Sequence, residues 1–331
     1  MSILSRGMKL SIVHLLMLLF LYLFFFSDHI KKINLSAAIP TSFFNINTIF
    51  LSILIESIPF ILIGVIASTF IQVFVSENMI HKILPRHVFL AMLPATLLGI
   101  IFPICECAII PVVRRLIKKG LPQHVGIVFM LSVPVLNPVV FLSTYYAFPQ
   151  NKLIVYERMG LSFLIALLIG FITYLAFRNK SILKNSTLQD HLDQEAVTSK
   201  LRQFFKHISD EFFETGKYLI IGAFLASLFH TFINRHFLEA IGSNHTIAPV
   251  VLMGFSYVLS ICSEADAFVA ASFNHSFSLG SILAFLVFGP ILDLKNTIML
   301  FAYFRFKFVL LFIVLACCFV YLFSRIAEII V

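Results

Sequence analysis

The chain has 331 residues, 60% of them hydrophobic and only 12% charged, with 39 phenylalanines, no tryptophan and a formal charge of +8. A soluble domain carries about 25% charged residues, and no soluble core could hide this much apolar side chain, so a soluble globular protein is excluded. The cations fall in short loops rather than on one arm or face, which argues against a nucleic-acid surface and matches the basic bias of cytoplasmic loops.

A membrane-spanning helix requires about 20 mostly apolar residues. In chain order, that rule predicts spans over 8–26, 48–75, 87–111, 124–147, 154–177, 213–233, 247–273, 279–303 and 306–325. The first follows Arg6 and Lys9, yet no small-residue cleavage site comes after it, so it reads as a retained helix and not a signal peptide. Proline or acidic residues interrupt several of the others, and these are expected to be half-helices or re-entrant segments. The expected fold class is an all-α polytopic membrane protein with about eight to ten transmembrane segments in two related halves. The expected organisation is an N-terminal helix and loop at 1–47, a first repeat at 48–177, a cytoplasmic linker at 178–210 and a second repeat at 211–331.

The repeat rests on three matches in the same order. "ESIPFILIG" (Glu56–Gly64) aligns with "ETGKYLIIG" (Glu214–Gly222), "IC" at Ile104-Cys105 with "IC" at Ile261-Cys262, and "FMLSVP" (Phe129–Pro134) with "FLVFGP" (Phe285–Pro290). Duplicated halves with interrupted segments at matching places are the mark of secondary transporters, whose sites lie near the bilayer midplane. Parallel and inverted arrangements of the halves both remain open. The loop Asn274–Ser278 has no Lys or Arg, unlike the basic Arg114-Arg115-Lys118-Lys119 cluster at the matching place in the first half. That cluster is read as a topology signal that holds its segment toward the cytoplasm.

Ionisable groups inside a membrane are expensive and mark sites by default. Glu106 stands between Cys105 and Cys107, while Glu264 and Asp266 follow Cys262. Glu56, Glu106 and Asp266 are the candidates for proton or ion coupling. Cys-Glu-Cys is too short for a closed zinc site, but Cys105, Cys107 and Cys262 could converge on a soft ion or trivalent metalloid; the alternative is that they are small residues for close packing. Pro134 and Pro138 break one span, where Asn137 either satisfies a freed carbonyl or faces a solute. Gly289, Pro290, Asp293, Lys295 and Asn296 repeat the pattern, and Asn296 is a second candidate lining residue. No phosphate-binding loop, metalloprotease motif or hydrolase nucleophile elbow is present, so neither an ATP-driven pump nor a membrane enzyme is expected, and no cofactor is implied.

"PICECAIIPVVRRLIKKGLP", "FMLSVPVLNPVVFLST", "CSEADAF" and "LAFLVFGPILDLKN" resemble the YraQ-type predicted permeases, which are related to the ArsP organoarsenical efflux permeases. The resemblance covers much of 50–300. It implies an integral permease of the bacterial cytoplasmic membrane, with a second membrane subunit as a possible partner. Cys105-Glu106-Cys107 departs from the Cys-Ser-Cys of ArsP-like relatives, as Ala108 and Glu264 depart from their small residues. The expectation is a secondary permease for a small solute or ion, such as a metal, metalloid or organoarsenical. Cys105, Glu106, Cys107, Asn137, Cys262, Glu264, Asp266 and Asn296 form its site. The alternative is a non-transporting subunit that acts as scaffold or sensor.

Overall fold

The structure, a computed structural model, describes residues 41–74, 85, 87–101, 105–178, 180–184, 200–232, 246–274 and 276–330. The expected helix at 8–26 lies outside the described residues. The chain divides into two compact units, Met1–Thr48 and Ile49–Val331. In the first, the described residues open a helix in which the Thr48 hydroxyl donates to the Phe44 carbonyl at 2.8 Å. All packing below lies within the second.

The first half runs α1 (Thr41–Phe74), α2 (Val88–Ile101), α3 (Glu106–Lys118), α4 (Gln123–Ser132), α5 (Pro138–Ala147) and α6 (Leu153–Phe177). The second runs α7 (Lys200–Phe232), α8 (Ala248–Leu259), α9 (Asp266–Ala271), α10 (Leu279–Ile291), α11 (Leu294–Tyr303) and α12 (Phe306–Ile330). Among the described residues, both halves begin with a very long helix, of 34 and 33 residues, pass through four short ones, and end on a 25-residue helix. Two related halves are therefore present element by element. Among the described residues, five stretches are long and apolar enough to span a membrane: Phe44–Ile71, Leu153–Phe177, His207–Thr231, Leu279–Tyr303 and Phe306–Ile329.

The expected spans at 124–147 and 247–273 are each split into two helices, and within 87–111 α2 and α3 are separate elements. Local chemistry explains the breaks. Pro134 and Pro138 bring no backbone N–H to the ladder, and Asn137 caps the restart by accepting from the Val140 amide at 2.8 Å. Its amide nitrogen is 3.4 Å from the Val133 carbonyl and 3.5 Å from that of Pro134. Asn137 therefore serves the freed backbone. Asp293 repeats the cap in the second half, accepting from the Asn296 amide at 2.6 Å. The end of α8 is set by Ser260, whose φ of +49° is left-handed, a region that costs a non-glycine residue about 1–2 kcal/mol. Its hydroxyl accepts from the Leu294 amide at the start of α11.

Layering is the same in each half. α4 packs between α2 and α6, and α10 packs between α8 and α12. The halves join through α6 on α12, and through two reciprocal crossings: α5 against α9, and α11 against α3. The α10–α11 stretch is the centre of the bundle, with 89% of its apolar window buried, against 28–33% for the other four spans. Those others turn Ile55, Leu62, Ile63, Phe70, Ile220 and Phe224 outward. In a membrane, lipid covers such a face.

The long helices α1 and α7 each approach the α3–α11 crossing through a glycine. A Cβ on Gly64 would stand 2.6 Å from the Ala108 Cβ, and one on Gly222 would stand 2.9 Å from the Lys295 Cα. The stretch read as a free linker is structured at both ends. The Ile182 amide donates to Gln123 Oε1 at 2.8 Å, Leu183 bridges Phe304, and the Arg305 amide donates to the Ile182 carbonyl at 2.8 Å. The apolar spacing at Leu201-Phe204-Phe205-Ile208, expected on the membrane surface, belongs to α7, which starts at Lys200.

Gly64→Val is expected to cost about 1–3 kcal/mol through overpacking, read as a lower Tm of the detergent-solubilised protein. Gly160→Val, where nothing lies within 4 Å, is the control and should leave the Tm near that of the wild type.

Candidate functional site

The site begins where α3 and α9 start. The Cys105 carbonyl accepts from the amides of Ala108 and Ile109, both at 3.2 Å, and the Cys262 carbonyl accepts from those of Ala265 and Asp266, both at 3.0 Å. The same turn thus recurs at the two aligned cysteines. In this register Glu106 corresponds to Ser263, and Cys107 to Glu264.

Cys105, Cys107 and Cys262 are free thiols and all buried. Cys105 and Cys107 pack with Ile61 and Val65 of α1 and with Leu219 and Ala223 of α7. Cys262 lies within electrostatic reach of Cys105, Cys107 and Glu106, so the three sulfurs come to one region. Among the described residues, no group of three or more His, Cys, Asp or Glu side chains is placed to hold a metal ion. The close-packing role is visible beside them, where Ala108 lies against Gly64.

Glu106 is 2% exposed, and neither carboxyl oxygen has a hydrogen-bond partner. With Ile109, Met130, Pro290, Ile291 and Asn296 it lines a small cavity, with room for about one water. Asn296 Oδ1 and Asp293 Oδ2 are buried without a hydrogen-bond partner as well. Lys295, equally buried, holds its Nζ 3.7 Å from Asp293 Oδ2. Glu106 feels the charges of Lys295 and Asp293. A buried polar group without a partner costs about 1–3 kcal/mol, and more when charged. Three unsatisfied acceptor oxygens around one crossing, those of Glu106 and Asn296, therefore need an account.

Asp266 is differently placed. Both its oxygens accept from Arg158 Nη2 at 2.9 Å, and Arg158 is fully buried. The guanidinium also donates to the Ser263 carbonyl at 3.1 Å and to the Thr144 hydroxyl at 2.7 Å. The Ser263 hydroxyl donates to the Pro134 carbonyl at 2.8 Å. The second-half cysteine turn is thereby fastened to the first-half proline break. Glu264 is half-buried, and Glu56 is exposed on α1 within electrostatic reach of Glu264 and Cys262.

The basic cluster divides. Arg114 and Arg115 are buried on α3, with Arg114 3.9 Å from Glu214 and Arg115 3.5 Å from Glu211, both on α7. Arg114 also stacks over the Tyr303 ring at 4.5 Å, and Glu211 accepts from the Ser68 hydroxyl at 3.0 Å. Lys118 is exposed and Lys119 half-buried. Part of the expected topology signal is thus internal ion pairing. Arg158 and Glu211 were not among the sequence candidates. Arg158 was detectable as an arginine early in a 25-residue apolar helix.

Duplicated bundles, interrupted helices and a buried polar crossing between the halves are the architecture of a multi-pass membrane permease. The chain belongs to the ArsP_1 family of predicted permeases, which it matches over residues 42–329. It is 49% identical over 274 residues to the UPF0718 protein YcgR of Bacillus subtilis, covering 82% of this chain and 93% of that protein. It is 36% identical over 282 residues to a Streptococcus mutans protein named "putative two-component membrane permease complex subunit", covering 83% and 92%. No solved structure matches the chain.

Removing one partner of a buried ion pair costs about 3–5 kcal/mol, because the other charge is left unpaired. Arg158→Met and Asp266→Leu are each expected to lower stability by that order, and the double variant to recover most of the loss. Thermal melts of all four proteins check this, and additive losses would contradict the pairing.

Proposed function

We propose that the chain is a secondary permease that moves a small solute or ion through a pocket at the α3–α11 crossing, and that it is a transporter rather than an enzyme. The single observation that carries this reading is the Glu106 carboxyl group, buried between the halves with both oxygens unpartnered. A group that expensive to bury persists where an occupant satisfies it. Asn296 lines the same cavity, and Cys105, Cys107 and Cys262 lie beside Glu106, where their sulfurs would suit a soft ion, a metalloid or an organoarsenical. Glu264 and the exposed Glu56 line the approach. Asp266, engaged by Arg158, acts as a positioning residue that fixes the Cys262 turn against the first half.

The test begins with a growth screen of a deletion strain against metals, metalloids and arsenicals to find the solute. Flux of that solute is then measured in sealed vesicles. Glu106→Gln is expected to reduce flux by roughly tenfold or more with insertion intact, while Glu56→Gln is expected to slow it by less. Unchanged flux in Glu106→Gln would reject the site.

The name of the Streptococcus mutans relative favours a second reading, in which the chain works as one subunit of a two-component complex. Flux in whole cells that is absent from vesicles of the purified chain would select it.

A further inference from the structure

We infer that the cavity lined by Glu106 and Asn296 is a site for one dehydrated monovalent cation of about the size of Na+, held at the crossing of α3 with the break between α10 and α11. Its role as the coupling ion rests on the permease reading; its existence as a binding site does not.

The chemistry of the lining comes first. The unpartnered buried side-chain atoms on the residues that line the cavity are acceptors: both Glu106 oxygens and Asn296 Oδ1. Hard cations take such oxygen ligands, and an anion would find none of these atoms donating to it. The cavity that Glu106 and Asn296 share is also lined by Pro290 and Ile291, the last residues of α10. The final carbonyls of a helix have no partners within it and form its negative end, which favours a cation nearby.

Comparison of the two halves gives a second, independent reason. Ser263 corresponds to Glu106, and Pro134 to Pro290. In one crossing, the Ser263 hydroxyl proton joins it to the Pro134 carbonyl at 2.8 Å. In the other, Glu106 and Pro290 face the same cavity, but an ionised carboxylate has no proton to give. With Glu106 ionised, a cation in that cavity supplies the positive charge that the Ser263 proton supplies in the other crossing.

Size and charge select that particle. The cavity admits about one water-sized body, so the cation enters without a hydration shell. The crossing carries Lys295, Asp293 and Glu106, formally +1, −1 and −1, which leaves −1 in the ionised state. One monovalent cation neutralises it, whereas a divalent ion would leave a net positive charge buried in the bilayer, which is costly.

The experiment is a thermal melt of the purified full-length protein in detergent, titrated with NaCl against choline chloride at matched ionic strength. A ligand that binds only the folded state raises Tm saturably. The expected result is a rise of several degrees with Na+, no comparable rise with Mg2+, and loss of the response in both Glu106→Gln and Asn296→Ala. Glu157→Gln, a half-buried carboxylate on α6, retains it. A Tm indifferent to Na+, or a Na+ response that survives in a folded Asn296→Ala protein, overturns the inference. The melt reads binding without transport. A missing Na+ response therefore leaves the permease reading standing, and a missing flux leaves the cation site standing.

Discussion

Inside a bilayer, lipid cannot satisfy a broken backbone or a buried charge, and this constraint organises the molecule. Most interruptions are answered by another part of the protein. Arg158 is the clearest case. Rising from α6 in the first half, it binds the carboxylate and the turn carbonyl that open α9 in the second, and also the α5 hydroxyl of Thr144. Without it, Asp266 would be an uncompensated charge at the interface between the halves. The pair need not add net stability over an apolar replacement. What it supplies is register: one placement of the Cys262 turn against the Pro134 break.

The two halves resemble each other in construction and differ in what they leave unsatisfied. Helix order, packing layers and the two capping side chains recur, with Asn137 and Asp293 in the same role. At the α5–α9 crossing nearly every polar group finds a partner. At the α3–α11 crossing Glu106 and Asn296 keep free acceptor oxygens. Duplication gives two similar frames, and divergence at a few positions turns one into a fastening and the other into a pocket. The long helices α1 and α7 approach α3 and α11 beside that pocket, each through the glycine that ends its repeat match. Arg114 and Arg115, paired with Glu214 and Glu211, tie α3 to α7 beside it.

Much of this was legible in the amino-acid sequence because it depends on local rules. Apolar length marked the spans, proline marked the breaks, and a carboxylate between two cysteines in an apolar run marked the pocket. Partnership was not legible, because it depends on contacts far apart in the chain. Glu106 and Asp266 look alike as intramembrane acids, yet one faces a guanidinium contributed from 108 residues away and the other faces a cavity. Asn137 and Asn296 look alike at their breaks, but one is consumed by capping. Arg114 and Arg115 read as loop cations because their partners lie in the other half. The linker read as polar and free, although Ile182 is fully buried and bridges Gln123 to Arg305.

The central claim is that the interrupted stretches of the two halves meet face to face. Disulfide trapping in a background freed of native cysteines tests it most directly, using Pro134→Cys with Ser263→Cys across the halves. Ser256→Cys with Phe285→Cys is the matched control within the second half, where a hydroxyl–carbonyl contact of 3.0 Å holds two helices together. Mild oxidation, followed by mass spectrometry of the linked peptides, should find both bonds. Formation of the control bond with no bond between positions 134 and 263 would contradict the account.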